Sequence, residues 1–220
     1  MGPSALHWDG QDLVIDVDEI TTPVLGRMRG RIRLSPEGMT DREVVLDAEG
    51  RHIWRPFAPV ARISVDLDRR GWTWDGHGYF DANFGTASLE EDFSYWTWAR
   101  LPKGDGCVAF YDAERRKGGT LSAALAFAPD GAVREIEAPP LRPMSRNLWT
   151  VRRVCRADPG STPRVSLPML DAPFYSRACI EAEIDGERCR GVYEALDLNR
   201  FRSPLLKPML ALRVPRVWSR

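Results

Sequence analysis

A chain of 220 residues, 43% hydrophobic and 28% charged, has enough apolar material for one large β-domain or two small ones, and its composition excludes wholesale disorder. Lys+Arg and Asp+Glu both number 31, so net charge gives no argument for a nucleic-acid partner. No apolar run approaches the ~20 residues a membrane-spanning helix needs, and Cys107, Cys155, Cys179 and Cys189 form no C-x-x-C pair, which fits free thiols rather than disulfides or a zinc site.

The opening MGPSALHWDG lacks the features of a signal peptide and leads almost directly into strand-like sequence, so the expected location is the cytoplasm. LVIDVDEI (13–20) alternates apolar and acidic residues, and GRMRGRIRL (26–34) alternates with basic ones, a pattern suited to cross-strand ion pairing. REVVLDAEG, ARISVDLD, CVAFYDAE and LSAALAFAPDG follow at short intervals, each closing on a turn-type cluster. No β-α-β rhythm intervenes, so the fold class expected is all-β, an antiparallel barrel or sandwich. Residues 1–154 are read as one β-domain, CRADPGSTPR (155–164) as a linker, and 165–220 as C-terminal strands and a basic tail packing with the first part. Within the last segment FYSRACIEAEIDGE and RCRGVYEALDL predict a hairpin about Asp185-Gly186. The end, RFRSPLLKPMLALRVPRVWSR, carries six basic residues after Asp197 and no acidic one. It predicts a short helix near Pro204, limited by Pro208 and Pro215. Two readings of this tail stay open: Leu205, Leu206 and Leu210 packing on the β-domain, or a basic apolar segment resting on an anionic membrane.

Phosphate and hydride chemistry have no foothold, because no G-x-G-x-x-G follows a strand and neither a P-loop nor G-x-S-x-G is present. Three histidines (His7, His52, His77) give little basis for a multi-histidine metal site, so no metal is assigned. What remains is an acid among aromatics: GHGYFDANFG (76–85) lies between WTWD (72–75) and FSYWTWAR (93–100). Strand parity puts Ser94, Trp96 and Trp98 on one face with Tyr95 and Thr97 on the other, and points Tyr79 and Asp81 together with Phe80 opposite. An aspartate desolvated among such rings has its pKa raised from ~3.9 and becomes a proton donor near neutral pH. That acid suits protonation of an unactivated alkene, the cation being held on aromatic faces. The competing reading makes Asp81 a turn residue capping its own backbone beside Gly78 and Asn83.

WTWDGHGYFDANFG followed by LEEDFSYWTWAR resembles the signature of the carotenoid 1,2-hydratases, the hydroxyneurosporene synthase family. The resemblance continues through GPSALHWDGQDLVIDVDE, HIWRPFAPVARISVDLD, DAPFYSRACIEAEIDG and LDLNRFRSPLLKPML, several blocks in the family's order. It implies a lipocalin-like β-barrel, either one barrel or two barrel-like halves, and a cofactor-independent lyase of photosynthetic bacteria. That lyase adds water to the terminal C1=C2 bond of acyclic carotenoids such as neurosporene and lycopene. The family's functional positions fall on His52, Trp54, Tyr79 and Asp81: Asp81 protonates C2, Trp54 and Tyr79 hold the C1 cation, and His52 orients water or relays a proton. Trp74, His77, Asn83, Trp96 and Trp98 are expected in substrate binding. Family members are longer at the N-terminus, so a separate chain supplying strands is among the expected partners, beside the carotenoid and the inner face of the cytoplasmic membrane. A non-catalytic isoprenoid binder and a polyene cyclase of the same fold are the alternatives.

Overall fold

The computed structural model describes residues 3–21, 25–69 and 71–206. Among these, the chain runs through β1 (Ala5–Trp8), β2 (Leu13–Thr21), β3 (Gly26–Pro36), β4 (Val44–Val45), β5 (His52–Leu67), β6 (Thr73–Gly85) and α1 (Leu89–Asp92). It continues through β7 (Phe93–Lys103), β8 (Gly106–Arg115), β9 (Thr120–Phe127), β10 (Val133–Glu135), β11 (Leu141–Pro143), β12 (Val154–Arg156), β13 (Arg164–Asp171), β14 (Tyr175–Ile184), β15 (Glu187–Asp197) and α2 (Leu198–Phe201). The fold is all-β with antiparallel sheets, as the period-two patterning predicts. Two units divide it, and each interleaves distant stretches of sequence.

The first unit takes residues 1–42, 56–82 and 128–132. Its sheet runs β1-β2-β3-β5, and β6 pairs with β5. The β2–β3 register sets Asp16 opposite Arg31 and Asp18 opposite Arg29. Arg31 reaches Asp16 at 2.7 Å, Arg27 reaches Asp18 at 2.6 Å and Arg33 reaches Asp12 at 2.7 Å, so the alternating charges of the sequence become cross-strand ion pairs. The intervening residues, Leu13, Ile15, Ile32, Leu34, Ile63 and Val65, share the opposite face. Leu34, Ala58 and Ala61 are buried there, with Leu13 and Phe80 packed against them. Phe80 stacks on Phe57 with centroids 5.1 Å apart. A Cβ on Gly78 would come within 3.1 Å of Ile63 and 3.3 Å of Leu34, so glycine lets β6 lie close against this core.

The second unit takes residues 43–55, 83–127 and 133–220. Seven strands form its sheet in the order β10-β9-β8-β7-β15-β14-β13. Tyr95, Leu101, Phe110, Val151, Cys155, Ile180, Ile184 and Tyr193 belong to one buried cluster. The β11–β12 ribbon is fastened to the sheet by Arg156, whose Nε donates to Asp112 at 3.1 Å, and by the Val154 N–H, which donates to the Tyr193 hydroxyl at 3.1 Å. The expected hairpin is present. Ile184 pairs with Glu187, and Asp185 (φ 51°) and Gly186 (φ 74°) supply the two left-handed central residues of the turn.

The boundary read from sequence differs from this division. Cys155 and Arg156 stand in β12, and 157–163 join two strands of the same unit. The turn signal at Asp158-Pro159-Gly160 is a connection whose Asp158 carboxylate accepts the N–H groups of Asp185 and Gly186, at 3.0 and 2.7 Å. The helix expected near Pro204 starts earlier, at Leu198, where the Asp197 side chain caps the Arg200 N–H at 3.0 Å. Leu210 and the rest of 207–220 lie outside the described residues.

Candidate functional site

In the first unit, Tyr79 and Asp81 occupy β6 two positions apart and both are half-buried. Because Gly78 and Phe80 turn into the apolar core, strand alternation puts Tyr79 and Asp81 together on the other face. His77 shares that face and is exposed, while Trp74 has the opposite parity and is 48% exposed. Asn83, further along the strand and within the second unit's share of it, is also exposed.

In the second unit, His52 and Trp54 begin β5 and are almost completely buried, at 2% and 1% exposure. His52 is held from several sides. Its backbone N–H donates to Asp47 at 2.7 Å, and its Nε2 lies 2.7 Å from Asp92 Oδ2. Arg51 pairs with the other Asp92 oxygen, and the Phe93 ring meets the imidazole edge-on at 5.1 Å. Nδ1 faces the strand at Gly85, where a Cβ would stand only 2.9 Å away. Burial works against ionised Asp47, but N–H groups of His52, Arg51 and Glu49 hold its carboxyl below the usual carboxylate value. The result is a buried imidazole in one fixed orientation with a carboxylate on one nitrogen, the arrangement that sets which nitrogen carries the proton.

Trp54, Trp96 and Trp98 come together in this unit around a residue that the sequence did not single out, Tyr111. Its ring lies 5.6 Å from Trp54 and 5.7 Å from Trp96, and it is the cross-strand partner of Trp98. Trp96 and Trp98 share one face of β7, as parity predicts, while Tyr95 enters the buried cluster on the other, its hydroxyl donating to the Arg152 carbonyl at 2.7 Å. Glu194, opposite Trp98 on β15, carries a charged pair onto the aromatic face through Arg177 at 3.3 Å. Trp96 Nε1 is buried with no hydrogen-bond partner among the described residues. Among those residues no group of three or more His, Cys, Asp or Glu is arranged to hold a metal ion.

Asp92 and Tyr111 were missed for different reasons. Asp92 sits in an acidic turn with no local sign of its partner forty positions away. Tyr111 was visible as a strand residue of the right parity, but its role depends on which strands pair with β8.

The family model described as carotenoid hydratase CrtC matches residues 1–220. The chain is 57% identical over 217 residues to the acyclic carotenoid 1,2-hydratase of Cereibacter sphaeroides, covering 98% of this chain and 77% of that protein. It is 54% identical over 218 residues to the protein of the same name from Rhodobacter capsulatus, with 98% and 77% covered. A third relative of that name, from Thiocapsa roseopersicina, is 42% identical, with 99% of this chain and 54% of the relative covered.

Proposed function

The chain belongs to the carotenoid hydratase CrtC family and is a hydro-lyase acting on carotenoids, and we propose that it adds water across the terminal C1=C2 bond of an acyclic carotenoid of the neurosporene or lycopene type. The observation that carries this reading is the 57% identity over 98% of the chain, with Asp81 and Tyr79 two positions apart on one face of β6.

In this reading Asp81 acts as a carboxylic acid. It gives its proton to C2 of the terminal alkene, and the electron pair of the double bond forms the new C–H bond. The tertiary cation left at C1 is captured by water, and the oxonium proton returns to the Asp81 carboxylate. One water is consumed, the acid is regenerated, and neither oxidant nor reductant is required. Tyr79, on the same face of β6 as Asp81, is assigned to the cation, an aromatic face contributing about 2 kcal/mol when desolvated.

Replacing Asp81 with Asn tests the acid. In a lycopene-producing bacterial host, the unaltered chain is expected to yield a hydroxylated carotenoid and D81N only unchanged lycopene. Purified D81N should still bind the pigment, since the amide keeps the shape and lacks the proton. Hydration retained by D81N would overturn the mechanism. A new ring in the product of the unaltered chain would move the reaction to cyclisation.

A further inference from the structure

The turn between β11 and β12 carries its side chains in an unusual order. The Thr150 N–H donates to the Asn147 carbonyl at 2.9 Å, which closes a turn whose two central residues are Leu148 and Trp149. Such positions ordinarily hold Gly, Pro, Asn, Asp or Ser. Here Leu148 is 89% exposed and Trp149 45% exposed.

The turn is also braced. Asn147 is buried, and its side chain accepts the Val151 N–H at 2.8 Å and donates to Asp171 at 3.1 Å. Arg200, from α2, donates to the Trp149 carbonyl at 2.7 Å and to the Pro173 carbonyl at 3.0 Å, and its other terminal nitrogen reaches Thr150 Oγ1 at 3.3 Å. Val151, the next residue, is fully buried in the core cluster. Thr150 sits at φ 59°, a conformation a β-branched residue avoids without such support. Leu148 and Trp149 are therefore held out into solvent by a clamped backbone.

Around them the charge is positive. Arg146 is exposed and, among the described residues, reaches the Thr150 carbonyl at 3.5 Å, and Arg202 at the end of α2 is exposed as well. Arg200 adds a third cation, partly offset by Asp197 at 3.3 Å. The Asp171 carboxylate is taken up by Asn147 and Ser176.

We propose that the Leu148–Trp149 turn is an anchor for an anionic lipid surface, with Leu148 entering the acyl boundary, Trp149 at the headgroup level and Arg146, Arg200 and Arg202 facing lipid phosphates. An indole beside a leucine, with Arg146 and Arg200 hydrogen-bonded to the same turn and Arg202 two residues beyond Arg200, matches the layers of a bilayer surface, apolar inside and anionic outside. A second copy of the chain fits less well, because a two-fold contact through this turn would set the same arginines against each other. The anchor differs from the basic tail considered from sequence, and it does not depend on the hydration reading.

Flotation of the full chain with phosphatidylcholine vesicles, with and without phosphatidylglycerol, tests it. The unaltered chain should co-float with the anionic vesicles, and L148S/W149S should lower its partitioning about tenfold or more, the loss expected for two apolar groups withdrawn from lipid. Circular dichroism of the double variant should match the unaltered chain, since the Asn147, Thr150 and Arg200 contacts that hold the turn do not use either side chain. Brominated lipids should quench more of the fluorescence of the unaltered chain than of W149F. Absence of co-flotation overturns the proposal, as does binding that ignores L148S/W149S and follows removal of 207–220. Concentration-dependent self-association that the double variant abolishes, without lipid binding, assigns the turn to a second copy and overturns it too. Hydration of detergent-dispersed carotenoid by the double variant should stay unchanged, which keeps this result separate from the test of Asp81.

Discussion

Asp92 Oδ2 stands 2.7 Å from Nε2 of His52, and Arg51 holds the other carboxylate oxygen. The carboxylate thus joins the start of β5 to the end of α1, with His52 at 2% exposure. Removing it leaves the buried imidazole without its carboxylate and Arg51 with the Glu49 carboxylate at 3.2 Å, and breaking a buried pair on one side ordinarily costs more than the intact pair contributes. Asp92→Ala is expected to lower unfolding free energy by about 3 kcal/mol, and Asp92→Asn by less, because the amide still offers an oxygen. Urea denaturation of the two variants checks this. A loss below about 1 kcal/mol for the alanine variant would mean that water replaces the carboxylate without penalty.

Gly85 gives a second test of how tightly that imidazole is held. A Cβ there would lie 2.9 Å from His52 Nδ1 and 3.3 Å from Cε1, too close for either atom to stay. The ring cannot move freely, because Phe93 lies edge-on to it and Asp92 holds its far nitrogen. Gly85 is not among the positive-φ glycines, so alanine meets no backbone strain and the effect isolates the clash. Gly85→Ala should cost about 1–3 kcal/mol, the usual range for overpacking, measured by chemical denaturation. A variant as stable as the original would show that the ring has room to shift.

The core of the second unit makes an alkaline prediction. Burial pushes the Tyr95 hydroxyl up to about 12 and the Cys155 thiol up to about 12, and it drives Tyr193 upward as well. Each is neutral when protonated, so between the ordinary and the raised value the folded chain keeps a proton that the unfolded chain has released. Stability from these groups is complete below pH 9, where unfolded thiols begin to ionise, and declines as pH rises toward 12. The decline should reach the order of several kcal/mol, because every tenfold displacement of an ionisation equilibrium by folding is worth about 1.4 kcal/mol. Denaturation curves across that interval should show it, and Cys155→Ala should flatten the slope. A slope unchanged in that variant would remove Cys155 from the account.

What could be read in advance follows how local each cause is. Asp185-Gly186 announces its hairpin because two adjacent residues carry the required backbone. The acidic β2 and basic β3 declare their pairing through charge, and the split of Tyr95 from Trp96 and Trp98 follows from alternation alone. The interleaved units were not legible. Residues 128–132 rejoin the first unit through Gly131, whose Cβ would collide with the Met39 carbonyl at 2.3 Å, a contact between segments remote in sequence. The same holds for the site. Tyr79 and Asp81 are neighbours by parity, whereas Asp92 against His52 and Tyr111 against Trp54 require the strand pairing to be known.

Trp54 offers the test that separates an aromatic role from a packing role. It is 1% exposed and its ring meets Tyr111 at 5.6 Å, so any smaller residue leaves a gap and destabilises the chain. Phenylalanine and leucine both leave that gap, but only phenylalanine keeps a π-face. If the Trp54 face stabilises the C1 cation, Trp54→Leu should hydrate about 30-fold more slowly than Trp54→Phe, corresponding to about 2 kcal/mol of cation stabilisation. The comparison needs rates per folded molecule, with melting temperatures of the two variants measured alongside. Equal rates would reduce Trp54 to a core residue and leave the cation to Tyr79, for which Tyr79→Leu against Tyr79→Phe repeats the comparison on the strand that carries Asp81.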